Sequence, residues 1–263
     1  MAKTDILKNI ILKKKERLEL AKTAIPEEEL RNRIQGLGET RGFIEAINKP
    51  RQISLIAEIK KASPSEGVIR TDFNHFEIAK IYQDVGVQAM SVLTEEDFFL
   101  GSLTNLCEVK NLTTVPILRK DFIFDEYQIY ESRAFGADAI LLIADLLTQD
   151  QISLFISLAS SIGLDCLVEV HNERELKKVL KLKDVSLIGI NNRDLHTLEV
   201  DTKTTEKLYT LIPKGKTVVV ESGLKSSQDV LFLKILGINA VLIGTVFMRS
   251  EDIFKKVEEV MGW

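Results

Sequence analysis

Residues 54–60 read SLIAEIK, and the stretch runs on as IAEIKKASPSEG over residues 56–67. Its apolar first half reads as a strand, yet Glu58 and Lys60 close it. Side chains alternate across a strand. Ser54, Ile56, Glu58 and Lys60 therefore share one face, and Leu55, Ala57 and Ile59 the other. A strand buried on both faces should carry no charge. Where the charged pair points is decided by what the rest of the chain builds around it.

Apolar runs rich in β-branched residues recur: ISLIAEI (53–59), QAMSVL (88–93), VPILRKD (115–121), DAILLI (138–143), DCLVEV (165–170), SLIGINN (186–192), TVVVES (217–222) and NAVLIGT (239–245). Each is followed by a helix-like pattern, from FEIAKIYQDVG (76–86) to EDIFKKVEEVMG (251–262), commonly ended by Gly. Strands alternating with helices indicate parallel βαβ units. About eight units, spaced by roughly 22–35 residues, fit a (β/α)8 barrel better than a doubly wound sheet. No GxGxxG follows the first strand, which weakens a dinucleotide-binding reading. The expected fold is α/β, a TIM barrel. Residues 1–263 form one domain, with 1–50 as an N-terminal helical extension broken at Pro26. That extension is expected to clamp one barrel end or to wall the active site.

In a barrel the wholly apolar face of SLIAEIK meets the helices, so Glu58 and Lys60 point inward near the C-terminal end. The same parity puts Lys120 in line with Leu118, Glu169 with Leu167 and Glu221 with Val219. The even strands offer apolar or small groups there, such as Leu141 and Gly244, with Asn191 as the polar exception. Breaking a buried ion pair typically costs about 3–5 kcal/mol, whereas apolar replacement of the whole pair is often neutral. Stability alone is a poor reason for such a ring, and active sites of this fold lie at that end. Carboxylates and ammonium groups whose environments separate their pKa values act as general acids and bases.

The remaining composition is unremarkable. A net charge of -4 points to no nucleic-acid surface. Cys107 and Cys166 read as buried, reduced thiols of a cytoplasmic protein. The N-terminus has no signal or transit character, and no apolar run is long enough for a membrane span. KKKER (13–17) reads as a solvated helix face. His75, His171 and His196 are scattered, with no metal-binding constellation; His171 at the mouth reads as solvated or hydrogen-bonded.

Phosphate sites in such barrels often form from the loops after strands seven and eight, beside a short extra helix. ESGLKS (221–226) and IGTVFMRS (243–250) occupy those slots. Gly223 and Gly244 let backbone N–H groups approach an anion, and Ser222 and Thr245 add hydroxyls. Lys60 is a candidate countercharge.

AEIKKASPSEG (57–67), LRKDFIFDEYQI (118–129), LVEVHNERE (167–175), GINNRDL (189–195), ESGL (221–224) and IGTVFM (243–248) resemble the indole-3-glycerol phosphate synthase family in order and in strand slot. The resemblance implies conversion of 1-(2-carboxyphenylamino)-1-deoxyribulose 5-phosphate to indole-3-glycerol phosphate in tryptophan biosynthesis, with no metal or organic cofactor. It implies Lys120 as the acid of ring closure, Glu169 as a proton-transfer partner, and Lys60 as a substrate ligand and an acid in dehydration. Glu58 and Asn191 would orient them, and Glu221 would support the network. Ser63 and Arg193 become candidates for the substrate carboxylate, and Phe122, Leu141 and Leu242 for the wall around the aromatic ring. Arg193 paired with Asp194, and Phe122 as core packing, are the plainer readings. Thr245 stands where some relatives carry Ser, and its methyl is expected to crowd the phosphate. The extension would close over the mouth. A small phosphorylated substrate and a monomer are expected. Competing readings are a sugar-phosphate isomerase, a Schiff-base aldolase using Lys60 or Lys120, and a non-catalytic barrel.

Overall fold

The computed structural model describes residues 5–263. Eight parallel strands close into a barrel: β1 (Ser54–Ile59), β2 (Ala89–Leu93), β3 (Ile117–Lys120), β4 (Ala139–Ile143), β5 (Asp165–Val170), β6 (Leu187–Asn191), β7 (Thr217–Glu221) and β8 (Ala240–Ile243), with β8 pairing back onto β1. Each lies within an expected run. The N-terminal segment folds as α1 (Ile6–Ala24), α2 (Glu27–Gln35) and α3 (Phe43–Ile47). Outside the barrel run α4 (His75–Asp84), α5 (Leu103–Leu112), α6 (Glu126–Ala134), α7 (Gln149–Ser161), α8 (Glu173–Leu180), α9 (Lys203–Tyr209), α10 (Ser227–Leu236), the short α11 (Thr245–Met248) and α12 (Ile253–Met261). α11 is the extra helix expected after the eighth strand. A hairpin of Ala62–Ser63 against Gly67–Val68 carries no apolar alternation and was not foreseen.

Strand parity divides the core as the sequence requires. Leu55, Ala57 and Ile59 join the layer between strands and helices. Ile56, Leu118, Leu141, Leu167, Leu187, Val219 and Leu242 fill the interior. Polar side chains start the helices: Asp125, Thr148 and Ser226 each build a reciprocal cap with the residue three places on. α10 ends at Gly237, whose φ of +100° suits a residue without Cβ.

The extension does more than clamp one end. From α1, Leu7 and Ile10 enter the interior cluster, while Phe43 and Ile47 of α3 enter the same cluster. α3 sits at the N-terminal end of the strands, where the Ile44 amide donates to the carboxylate of Asp165, the first residue of β5. α1 sits at the opposite end, where Lys14 reaches Asp121 just past β3. Between them Leu18 and Leu30 pack on Tyr127 and Tyr130 of α6, with the Arg31 guanidinium 3.9 Å above the Tyr130 ring. Each such apolar side chain contributes about 1.5–3 kcal/mol by leaving water. Two expectations need correction. KKKER is not wholly solvated, because Lys14 is 4% exposed and ion-paired. The cysteines are free thiols but only half-buried.

Candidate active site

The charged ring forms at the C-terminal mouth. Glu58, Glu169, Glu221 and Asn191 are buried, and Lys60 and Lys120 lie at the rim of burial. Lys120 Nζ donates to Glu169 Oε2 and to Glu221 Oε2, each at 2.8 Å. Lys60 Nζ donates to Glu58 Oε2 at 2.5 Å. Burial by itself would lower the Lys120 ammonium, but Glu169, Glu221 and Glu58 overcome it and raise its pKa. The two carboxylates on Lys120 then separate. Burial opposes ionisation of Glu169, yet Lys120 and His171 prevail and lower it. For Glu221 burial wins, with Glu169 and Glu58 adding repulsion, and its pKa is raised. Neighbouring carboxyls pushed apart in this way are an acid–base arrangement.

These groups line a cavity of about 680 Å³. Phe122, Leu141 and Leu242 form part of its apolar wall, joined by Leu7 and Ile10 of α1. Phe122 also belongs to the interior cluster and tilts against Phe99 at 6.1 Å, so the wall and packing readings hold together. Ser63 and Arg193 line the cavity too. Arg193 does not pair with Asp194. Its guanidinium donates to the Leu198 carbonyl at 2.9 Å, while Asp194 accepts the amides of His196 and Thr197. The Asn191 side chain accepts the Arg193 amide at 3.0 Å and so fixes the start of that loop.

Ser222, Gly223, Gly244 and Thr245 face the same cavity. Ser222 and Gly223 are consecutive left-handed residues, φ +67° and +83°. Such a conformation costs a non-Gly residue about 1–3 kcal/mol and persists where its surroundings enforce it. Asn192, which the sequence reading passed over, does so here. Its amide donates to the Ser222 carbonyl at 3.1 Å, and its own oxygen accepts from the Thr205 hydroxyl at 2.8 Å. Gly244 has a reason beyond amide access: a Cβ there would run into the Glu58 carboxylate. Lys60 is engaged by Glu58 and Arg249 by Glu66; Lys225 and Arg249 line the cavity with Lys60 and were missed as cations.

A second network lies behind the ring. Arg119 points outward from β3 and, at 1% exposure, reaches Thr94, Gln128, Glu131, Ser132 and Asp121. Asp121 also accepts Lys14 at 2.8 Å, Thr94 at 2.5 Å and the Phe122 amide. The only sequence cue for it was charge inside an otherwise apolar strand. His171 is not solvated; it lies 3.0 Å from both Glu169 and Glu175. Glu95, Glu96 and Asp97 gather carboxylate oxygens within 4.8 Å of one another. Each is already taken, by three backbone amides, by Lys14 and by Arg17 respectively.

A family model described as indole-3-glycerol phosphate synthase matches residues 7–260. The chain is 50% identical over 260 residues to the indole-3-glycerol phosphate synthase of Caldanaerobacter subterraneus subsp. tengcongensis, covering 98% of this chain and 99% of that one. It is 48% identical over 255 residues to that of Alkaliphilus metalliredigens, covering 97% of each. Among solved structures, a mutant tryptophan synthase α-subunit from the hyperthermophile Pyrococcus furiosus superposes with a TM-score of 0.61 at 17% identity, over 80% of this chain and 98% of that one. That likeness speaks for the barrel alone. No helix among the described residues is long and apolar enough to cross a membrane. Identity near one half over almost the whole chain, with the family model running from α1 to α12, shows that the chain belongs to the indole-3-glycerol phosphate synthase family.

Proposed function

We propose that the barrel mouth closes the indole ring of 1-(2-carboxyphenylamino)-1-deoxyribulose 5-phosphate, releasing carbon dioxide and water and leaving indole-3-glycerol phosphate. The observation that carries this reading is Lys120, held between Glu169 and Glu221 at the end of β3 and facing the cavity.

In the first step the ring carbon bearing the carboxylate attacks the ribulose carbonyl, whose oxygen becomes a hydroxyl by taking a proton. Lys120 supplies that proton, since a developing alkoxide is far more basic than an ammonium group. Carbon dioxide then leaves, and its bonding electrons return to the ring. In the last step the hydroxyl departs as water after protonation, with Lys60 as the acid, and Glu169 takes the proton from the ring nitrogen; transfer of a proton from the ring methylene carbon to that nitrogen then completes the aromatic indole. Glu58 holds Lys60, Asn191 shapes the loop that carries Arg193, and Glu221 shares Lys120 with Glu169. Ser222, Gly223, Gly244 and Thr245 receive the phosphate, with Lys225 and Arg249 as nearby cations. Arg193 and Ser63 face the carboxylate before it is lost, and Phe122, Leu141 and Leu242 enclose the aromatic ring.

A Schiff-base aldolase needs a neutral amine. Two carboxylates at 2.8 Å hold Lys120 as an ammonium ion, which favours an acid over a nucleophile. The test is the rise of indole fluorescence when the purified protein meets the carboxyphenylamino substrate in the presence of a chelator. A signal in the wild type that is lost in Lys120→Ala supports the reading. Substrate binding without a signal would overturn it and return attention to sugar-phosphate isomerisation. A borohydride-trapped adduct would favour the aldolase.

A further inference from the structure

His171 follows β5 and lies outside the cavity lining, behind Glu169. Its side chain is 7% exposed and sits between two carboxylates. Nδ1 is 3.0 Å from Glu175 Oε2, which also accepts the His171 amide at 2.8 Å. Nε2 is 3.0 Å from Glu169 Oε1, off the direct hydrogen-bond line. Glu175 is fixed in turn by the Asn172 side chain at the start of α8.

An ionised carboxylate only accepts. A neutral imidazole offers one N–H and one lone pair, so facing two carboxylates it would set a lone pair against an anion. Both nitrogens here need a hydrogen, which makes the ring an imidazolium ion. The same holds from the outside. Burial works against the charge, yet Glu169 and Glu175 raise His171 to about 10. Beyond them, Lys120 and Glu221 lie past Glu169, while Lys178 lies near Glu175 with Asp145 and Arg174 around it.

We propose that His171 is the positioning residue of Glu169. It rests on the proposed reaction, in which Glu169 accepts the ring-nitrogen proton. Lys120 anchors Oε2 and His171 faces Oε1, so the carboxylate cannot swing away from the cavity or take up a proton before substrate arrives. Glu175 acts one step behind, keeping the imidazole charged and in plane. The arrangement repeats the logic of an acid that orients a histidine, with the roles displaced outward by one residue.

Two variants test this in the full chain. His171→Leu removes the charge and both donors, and His171→Gln returns a neutral donor that cannot titrate. In His171→Leu, kcat is expected to fall about ten-fold or more with KM nearly unchanged, since no contact to substrate is lost. The acidic limb of the kcat profile should move up by about one pH unit or more, because Glu169 keeps burial but loses one of two cations. His171→Gln should recover part of kcat and keep the shifted limb. If both variants hold wild-type kcat and limb while only the melting temperature drops, His171 is merely structural and the proposal fails. Carbon-13 titration of the Glu169 carboxyl in wild type and His171→Leu needs no turnover. An unchanged midpoint there overturns the proposal even if the wild type makes no product, an outcome that by itself would overturn the reaction instead.

Discussion

A methyl group added at Gly189 should damage the site without touching substrate. Gly189 lies on β6, beside Glu169 of β5 and Val219 of β7. Its φ is not left-handed, so the backbone accepts alanine. The new Cβ would stand 2.6 Å from Glu221 Oε1 and 3.2 Å from Leu167 Cδ1. To restore an ordinary 3.4 Å contact the carboxylate must retreat by about 0.8 Å. What it gives up is the 2.8 Å bond to Lys120. Overpacking of this kind costs about 1–3 kcal/mol, and misplacing catalytic groups by about 1 Å costs on the order of 100-fold in rate. Urea unfolding of Gly189→Ala should show a lower midpoint with the same slope, and the fluorescence assay a much lower kcat. The decisive comparison is Gly189→Ala made in a Glu221→Ala background. With Oε1 gone the methyl has room, and most of its stability cost should vanish as a coupling of about 0.5–3 kcal/mol. An equal cost in both backgrounds would show that the methyl does not press on Glu221, and the reasoning would be wrong.

Lys14→Met leaves Asp121 buried and short of a cation, so unfolding at pH 7 should cost about 3–5 kcal/mol less than in wild type. Burial would raise Asp121, but Lys14 and Arg119 hold it at about 2. A depressed carboxyl stabilises the fold above its ordinary pKa and ceases to do so as pH falls through about 2, so the gap between variant and wild type should narrow over that window. A constant gap would place the cost elsewhere. Asn192→Ala frees the Ser222 carbonyl at a cost of about 1–3 kcal/mol, and initial rates should show KM rising more than kcat falls if the left-handed pair holds phosphate. Glu169→Gln should fold normally, by circular dichroism, and lose most turnover; wild-type rates in that variant would remove Glu169 from the mechanism.

Strand parity made the ring legible. Glu58, Lys60, Lys120, Glu169 and Glu221 could be placed because a period of two leaves only two faces, and on β1 one of them was wholly apolar, which set the parity for the other strands. What parity cannot give is who pairs with whom. The sequence offered Lys60 as a countercharge for phosphate, and its bond to Glu58 at the same strand end shows only in the fold. Arg119 and Asp121 sit on the face turned away from the cavity, where charge looks like an error in an apolar strand until Lys14 arrives from more than one hundred residues away. Lys14 itself hid inside KKKER, since no local pattern distinguishes the lysine that turns inward from Lys13 and Lys15. Asn192 and Gly189 act by backbone geometry and by absent volume, neither of which a residue name reveals.

The ring also answers why it is not simply a buried salt-bridge cluster. Three inward carboxylates, Glu58, Glu169 and Glu221, meet two ammonium groups, Lys60 and Lys120. His171 and Glu175 cancel one another and leave that imbalance in place. A ring built only for stability would pair off evenly, because one unmatched buried carboxylate is costly. Here the surplus falls on Glu221, whose Oε1 has no hydrogen-bond partner among the described residues and lies over the space left by Gly189. The cheapest relief for such a group is a proton, which is why its pKa is raised while that of Glu169, two hydrogen bonds away through Lys120 Nζ, is lowered. The odd charge therefore leaves one mouth with a carboxyl that favours its proton and a carboxylate that does not, on either side of the Lys120 ammonium that serves as the acid in the proposed reaction.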